Sequence, residues 1–512
     1  MASIFNKFSM LKAIVLLCFL FGSLAVFSNA NSCASDPTLT CNQVNTVIEI
    51  GEPINSQRKV SDLFGLHLLF WGMQAELYGN TPAKVSSRAT SILQNAGVGF
   101  LRYGGGVNEI DWHTCTGLIL ERPLQKVVSW APPMRCIFGI SEYEKLNDEL
   151  ALQSSWHIAN VVGYDGKLIN SSMLARDAQE RASLIKQLAP ARDHFWEMGN
   201  ELDRDTLKWN EEKITKRSLP VAKSILAADP SARILIPLLE YSPPWIDNAD
   251  KHNRALIKNH KSVAHDYVLH LYYENAPWGP SVSNRLSTIR NIAKIIASEN
   301  INNPAIWITE HARTPPGTPA DKNWRNGWYQ TGNHDAVIAT SDFLIGLSQM
   351  PIVGGAAWHG QGHKVGPWTF IDVANDNSLL ETRISRLFEM LKPTHAYQTL
   401  ETTTDSIIDT NLPTQYAVRA TAFGDEDNPS NLFVWLVNRS NTELKVNLNK
   451  KSFNLDKKLL LKQTNMSAGY EPSVLIENLP VITKSVEVQH GQVSVLLPKR
   501  SVVLVQFSPD QS

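Results

Sequence analysis

The chain carries no excess of either charge: 48 Lys and Arg stand against 49 Asp and Glu, a net charge of -1. A nucleic-acid binder needs a basic face, and no basic stripe runs through this sequence. Cysteine is scarce, 5 in 512 residues, with no Cys-x-x-Cys spacing, which argues against a zinc ribbon. Three other signatures are missing: a Gly-x-Ser-x-Gly elbow, a His-Glu-x-x-His pair and a Gly-x-Gly-x-x-Gly loop opening a helix. The elbow-type serine hydrolases, the zincins and the dinucleotide enzymes each need one of these. There is no low-complexity tract and no repeat at solenoid spacing. After residue 30 no apolar run is long enough to span a bilayer. What remains is ordinary globular composition, 43% hydrophobic and 19% charged. The length suits a barrel plus a smaller domain.

Lys7 and Lys12 precede an almost wholly apolar run, Ala13 to Phe27, and Ser28-Asn29-Ala30 then offers a small-x-small cleavage site. Residues 1–30 read as a signal peptide cut after Ala30. That predicts a secreted or periplasmic protein, with no membrane attachment after cleavage. Cys18 lies in the leader. Cys33, Cys41, Cys115 and Cys136 remain, and an even count in an exported chain predicts two disulfides. The local pairing, Cys33–Cys41 and Cys115–Cys136, is favoured among the three connectivities. Asn170, Asn438 and Asn465 head sequons, which matter only in a glycosylating host.

Eight short apolar runs follow, at 64–70, 99–103, 158–162, 195–199, 234–239, 267–272, 305–309 and 353–358. Helical stretches lie between them, such as 82–95, 175–188, 211–228, 285–298 and 334–348. Strand and helix alternating eight times predicts an α/β fold, a (β/α)8 TIM barrel, over residues 61–393. After Pro393 the segments shorten and alternate, separated by polar turns, which predicts a β-sandwich over 394–512. Residues 31–60 form an N-terminal segment whose one strand, near residue 48, can join that sandwich.

Two of the apolar runs end on a glutamate. Phe195-Trp196-Glu197-Met198-Gly199-Asn200-Glu201 closes the fourth run, and Pro304-Ala305-Ile306-Trp307-Ile308-Thr309-Glu310-His311 closes the seventh. Working residues of a barrel sit at the C-terminal ends of its strands, so Glu201 and Glu310 open onto one mouth. Carboxyls about 5–5.5 Å apart there can act as nucleophile and acid/base of a retaining glycosidase. Asn200 is placed to hold a sugar hydroxyl, and His311, Arg313 or a tyrosine to support an ionised nucleophile.

Trp-Glu-Met-Gly-Asn-Glu at 196–201 and Ile-Thr-Glu at 308–310 resemble the two catalytic motifs of clan A glycoside hydrolases. The resemblance implies a retaining (β/α)8 enzyme with Glu201 as acid/base and Glu310 as nucleophile. Arg102-Tyr103-Gly104-Gly105-Gly106, followed by Asp111-Trp112, is similar to the strand-two motif of family 51 α-L-arabinofuranosidases. His270-Leu271-Tyr272 resembles that family's strand-six motif, which implies Tyr272 touching the nucleophile. Two positions depart from the pattern: Leu69 stands where a substrate-binding Glu belongs, and Val107 displaces an Asn to 108. The same motifs are also similar to family 79, the heparanase and β-glucuronidase group, so both arabinofuranoside and uronide stay open.

Arg102, Trp112, His270, Tyr272, Trp358 and Gln361 complete the candidate substrate set, with Trp71 and Trp368 beside them. Arg102 can instead hold the nucleophile through a buried ion pair. The His359-Gly360-Gln361-Gly362-His363 stretch raises a metal reading, with His265 or His270 as third ligand. Its glycines break the helix that would put both histidines on one face, so no metal and no cofactor is expected. The reading is thus an exported O-glycosidase acting on a carbohydrate, with no nucleic-acid partner. The rivals are a non-catalytic sugar-binding barrel and a metallohydrolase.

Overall fold

The computed structural model describes residues 46–509, except 57, 69–85, 105–110, 126–132, 165–166, 205–206, 242, 276–278, 300–302, 315–333, 361–367, 375, 377, 406–415, 426–430, 451–457, 471–475 and 489–490. The leader, Cys33, Cys41, Leu69, Trp71, Asn108, Gln361 and His363 lie outside the described residues. Among the described residues no helix is long and apolar enough to cross a membrane.

Eight parallel strands close a barrel in sequence order: Gly65–Leu68, Leu101–Tyr103, Ser154–Ala159, Asp193–Met198, Arg233–Pro237, Asp266–Tyr273, Ile306–Arg313 and Val353–Gly360. We number them one to eight. Helices on the outside carry their own stop signals. Ser86 caps the helix Ser87–Ala96 by accepting from the Ala89 amide, and Gly97, at φ +66, ends it in a left-handed turn that a side chain would strain. Asn210 caps Glu211–Ala228 in the same way, accepting from the Lys213 amide.

Inward-facing positions recur every second residue along a strand, and here they form layers. The lower layer is aromatic and aliphatic: Phe100, Trp156, Phe195, Leu235, Val268, Trp307 and Ala357 make one cluster, with Trp156 stacked on Phe195 at 4.1 Å. Two residues further along four of these strands the chain presents Arg102, Glu197, His270 and His359. The apolar layer plugs the barrel, and the charged layer sits on it at the C-terminal end. A cavity of about 800 Å³, lined by Arg58, Asp62, Trp307 and Lys392 among others, lies below the plug, at the opposite end from these charges.

Strand seven departs from simple alternation. Against strand six, Leu269 pairs with Ile308 but His270 pairs with Glu310, so Thr309 is skipped. This bulge shifts the register by one residue, and the Glu310 side chain points inward where Thr309 otherwise would.

Strand three begins earlier than its expected run at 158–162, and the reason is polar burial. Ser155 and His157 face Glu144 of the helix Ile140–Glu149. Their contacts with Glu144 let both be buried without an apolar signature.

Nine strands form the second layer system, hydrogen-bonded in one continuous, mostly antiparallel order. Leu461 near one end and Val495 at the other belong to one apolar core, so the sheet doubles over into a β-sandwich. Thr46–Pro53 is one of its strands, parallel to Leu444–Lys450 and antiparallel to Gln398–Asp405. Gln398–Asp405 and Val481–Glu487 add to the strands expected from sequence. The helix His334–Ser348 is buried on every face because barrel and sandwich both pack on it. Its Asp342 accepts from Arg419 at 2.6 Å and Arg439 at 2.7 Å of the sandwich.

Cys115 and Cys136 are disulfide-bonded, Cα atoms 5.2 Å apart. Of the sequon asparagines, Asn170 is exposed. Asn438 is buried, its amide donating to the carbonyls of Thr442, Leu497 and Pro498, and Asn465 is buried too.

Candidate active site

Arg102 is the hub. It sits on strand two with 1% of its surface exposed. Its Nε and Nη2 donate to both oxygens of Glu197 at 2.7 Å. Nη1 donates to Glu310 Oε1 at 2.8 Å, and Nη2 to Asn200 Oδ1 at 2.8 Å. A guanidinium is built for such two-pronged pairing. One cation therefore ties strands two, four and seven. Burial would lower the Arg102 pKa, but Glu197 and Glu310 outweigh it and hold the group charged.

Glu310 is buried, with four side chains around its carboxylate. Besides Arg102, the Tyr272 hydroxyl donates to Oε2 at 2.6 Å. His359 Nδ1 lies 3.1 Å from Oε2, and His67 Nδ1 lies 3.3 Å from Oε1. Burial alone would raise the Glu310 pKa. The imidazoles of His270 and His359 reverse this and hold it well below the usual carboxylate range; His67, kept neutral by its own burial and by Arg102, adds no charge. Glu197 is also lowered, burial being overcome by Arg102 and His270.

His270 lies between the carboxylates. Its Nε2 is 3.3 Å from Glu197, and its Nδ1 is 3.2 Å from Glu201 and 3.6 Å from Glu310. Burial would lower its pKa, but the Glu310 charge and the hydrogen bonds to Glu197 and Glu201 push it up to about 10. The ring is an imidazolium at neutral pH, with each N–H facing an acid.

Glu201 is reached by a backbone turn. Gly199 has φ +87, and a Cβ there would meet Val161 Cγ2 at 2.7 Å, so only glycine fits. Glu201 itself is held at φ +48, a strained region for a non-glycine residue and a common one in functional sites. The turn brings a Glu201 oxygen within 4.8 Å of one on Glu310. Arg204, with a largely exposed side chain, pairs with Glu201 at 2.8 Å.

Six residues singled out from sequence therefore stand together: Arg102, Asn200, Glu201, His270, Tyr272 and Glu310. Two do not. Trp358 has none of its surface exposed and donates its indole N–H to the Trp368 carbonyl, so it presents no face for a sugar; the alternation of strand eight turns His359 inward and Trp358 outward into the packing. Trp112 stacks on His113 and donates to Asp177, which ties it to the helix Ser171–Leu188 and not to the carboxylates. Trp368 is half-buried and 5.0 Å from the Tyr272 ring, so it supplies an aromatic wall beside Glu310. Glu197, His67 and Arg204 were not picked out from sequence. For Glu197 a signal existed: it shares the inward face with Phe195, Gly199 and Glu201.

No protein-family profile and no curated protein sequence matches the chain. Solved structures do. A GH51 arabinofuranosidase from Xanthomonas axonopodis pv. citri superposes with TM-score 0.71 at 17% identity, covering 91% of this chain and 100% of that one. An α-L-arabinofuranosidase from Thermotoga maritima gives 0.70 at 14%, covering 90% and 99%. A GH30 endoxylanase from Clostridium papyrosolvens gives 0.54 at 11%, covering 91% and 100%. At such identity the likeness establishes the shared fold, a TIM barrel followed by a β-sandwich, as in family 51 and other clan A glycoside hydrolases.

Proposed function

We propose that the chain is a retaining O-glycoside hydrolase with Glu310 as nucleophile and Glu201 as acid/base. The observation that carries the proposal is the carboxylate spacing. The nearest oxygens of the two acids lie within 4.8 Å of each other, on the side of the roughly 5–5.5 Å carboxyl spacing of retaining enzymes rather than the roughly 6.5–9.5 Å that an inverting enzyme leaves for water.

A Glu310 oxygen attacks the anomeric carbon as the glycosidic bond breaks, and Glu201 delivers a proton to the leaving oxygen. The sugar is then esterified to Glu310. Water attacks that carbon, gives its proton to Glu201 and releases Glu310. Negative charge thus passes from Glu310 to Glu201 and back. His270, cationic and in reach of both at 3.6 and 3.2 Å, faces a negative partner in either state. Tyr272 and Arg102 orient the nucleophile. Asn200 gives its carbonyl oxygen to Arg102, and its amide, with no hydrogen-bond partner among the described residues, can donate to a sugar hydroxyl.

The favoured substrate is an α-L-arabinofuranoside of a polysaccharide, because the strand-two and strand-six motifs resemble that family's, apart from the displaced Asn108, and the superposed structures include arabinofuranosidases. A second reading, a β-glucuronidase or endo-glucuronidase of the family 79 type, draws on Arg204, whose exposed guanidinium beside Glu201 suits a uronate. We also propose export; the Cys115–Cys136 bond favours an oxidising compartment. A panel of p-nitrophenyl arabinofuranoside, glucuronide, xyloside and glucoside tests the assignment, with Glu310→Gln losing all turnover. Sugar binding without hydrolysis of any member would select the non-catalytic barrel instead, and wild-type rates in Glu310→Gln would remove Glu310 as nucleophile.

A further inference from the structure

Three donor groups from three different strands converge, the proposed nucleophile among them. His67 Nδ1 of strand one and His359 Nδ1 of strand eight stand 3.1 Å apart. Glu310 of strand seven offers Oε1 at 3.3 Å from the first and Oε2 at 3.1 Å from the second. All three side chains are buried. We infer that His67, His359 and Glu310 form a binding site for one divalent transition-metal ion of the zinc class, and that such an ion blocks the nucleophile reversibly.

The donor spacing fits. Ligands around a tetrahedral zinc with bonds of about 2.0–2.1 Å stand roughly 3.3 Å from one another. Two imidazoles and one carboxylate are the donor set of a zinc-class ion rather than of calcium or magnesium.

The second piece is the outer face of His67. Its Nε2 lies 2.6 Å from the Gly104 carbonyl and 3.0 Å from Arg102 Nη1; the shorter contact, to an acceptor, assigns the N–H to Nε2. The lone pair is then on Nδ1, aimed at His359 and Glu310. An imidazole anchored through its far N–H to a backbone carbonyl is the usual support of a metal ligand. The third piece is rigidity. His67 and His359 are paired directly across adjacent strands, and the strand-seven bulge aims Glu310 between them.

A metal ion would replace the contacts among these three groups, while the Tyr272 hydroxyl still donates to Glu310 Oε2. Arg102 opposes it, 2.8 Å from Glu310 and 3.0 Å from His67, although Glu197 neutralises much of its charge. That opposition makes the ion an exchangeable inhibitor and not a permanent cofactor. The site is not the His359–His363 pair suggested by the sequence. His265 is excluded from it as well, since its Nδ1 accepts from the Ile234 amide at the start of strand five.

The consequence for turnover rests on Glu310 being the nucleophile; the binding itself does not. The test is equilibrium dialysis of the whole chain against Zn²⁺, followed by metal analysis. One equivalent is expected in wild type and in His265→Ala, and none in His67→Ala or His359→Ala. No uptake by wild type, or equal uptake by both active-site variants, overturns the inference. Should those variants fail to fold, Co²⁺ is added to wild type. Visible absorption of four-coordinate cobalt, abolished by Zn²⁺, is expected, and a spectrum of hexa-aqua cobalt overturns the site. Zn²⁺ is further expected to inhibit aryl-glycoside hydrolysis competitively. Histidine-dependent zinc uptake in a protein that hydrolyses no glycoside keeps the metal site and removes the glycosidase reading. Hydrolysis with no zinc uptake does the reverse.

Discussion

Replacing Arg102 by Met keeps much of the side-chain volume and deletes the charge on which the charged layer is built. Arg102 contributes two hydrogen bonds to Glu197, one to Glu310 and one to Asn200, all buried. Removing one partner of a buried ion pair costs about 3–5 kcal/mol, because the other charge is left uncompensated. Here two carboxylates are left, so the upper part of that range is expected at neutral pH. The loss is a large share of the roughly 5–15 kcal/mol that holds a typical domain folded. It must also depend on pH. In the wild type, Glu197 and Glu310 have folded pKa values below their ordinary ones. Their contribution is therefore present above the unfolded pKa of about 4.3 and is lost as pH falls through the folded values. The gap between wild type and Arg102→Met is widest near pH 7 and narrows below about pH 4. Urea unfolding followed by tryptophan fluorescence at both pH values reads it directly. A cost of about 0–1 kcal/mol, the size of an exposed pair, or an equal cost at both pH values, would refute the reasoning.

Tyr272→Phe removes a charge-assisted hydrogen bond of about 1.5–3 kcal/mol from Glu310, so kcat/KM on an aryl glycoside is expected to fall about 10- to 150-fold, with a loss of folding stability no larger than the same range. Glu201→Gln is expected to lower kcat/KM about 10²–10⁴-fold for glycosides with poor leaving groups and little for activated aryl glycosides, whose kcat still falls because deglycosylation loses its base; equal kcat/KM losses on both would remove its role as acid. His270, with its pKa raised to about 10, lends stability that is fully present below its unfolded pKa of about 6.5 and lost as pH rises through about 10. The stability cost of His270→Gln should therefore shrink between pH 7 and pH 10.5, and a constant cost would contradict the imidazolium. Replacing both Cys115 and Cys136 by Ser opens a loop of sequence separation 21 and should cost about 2–4 kcal/mol in chemical unfolding under non-reducing conditions. In a glycosylating host, peptide mass spectrometry should find a glycan on Asn170 and none on Asn438 or Asn465, whose side chains are buried.

By itself the sequence determined the architecture and the two acids. Eight apolar runs separated by helical stretches can satisfy their backbone and bury their faces as a closed parallel barrel, and a glutamate just past an apolar run belongs at the strand tip. These are local properties, carried by period and punctuation, so they can be read along the chain. Strand three was harder, because Ser155 and His157 are made burial-competent by Glu144, a partner outside the strand. The tertiary structure decided everything that depends on register. Thr309 is skipped against strand six, and that single bulge turns Glu310 into the barrel. The same inward alternation sends His359 to Glu310 and Trp358 into the packing, and it makes Glu197 the counter-ion of Arg102. His67 gave no signal at all, since its importance lies in neighbours 292 residues away at His359 and 35 away at Arg102. Electrostatics in a dry interior depend on distance between side chains, and distance across a closed sheet is set by the pairing of strands far apart in the chain.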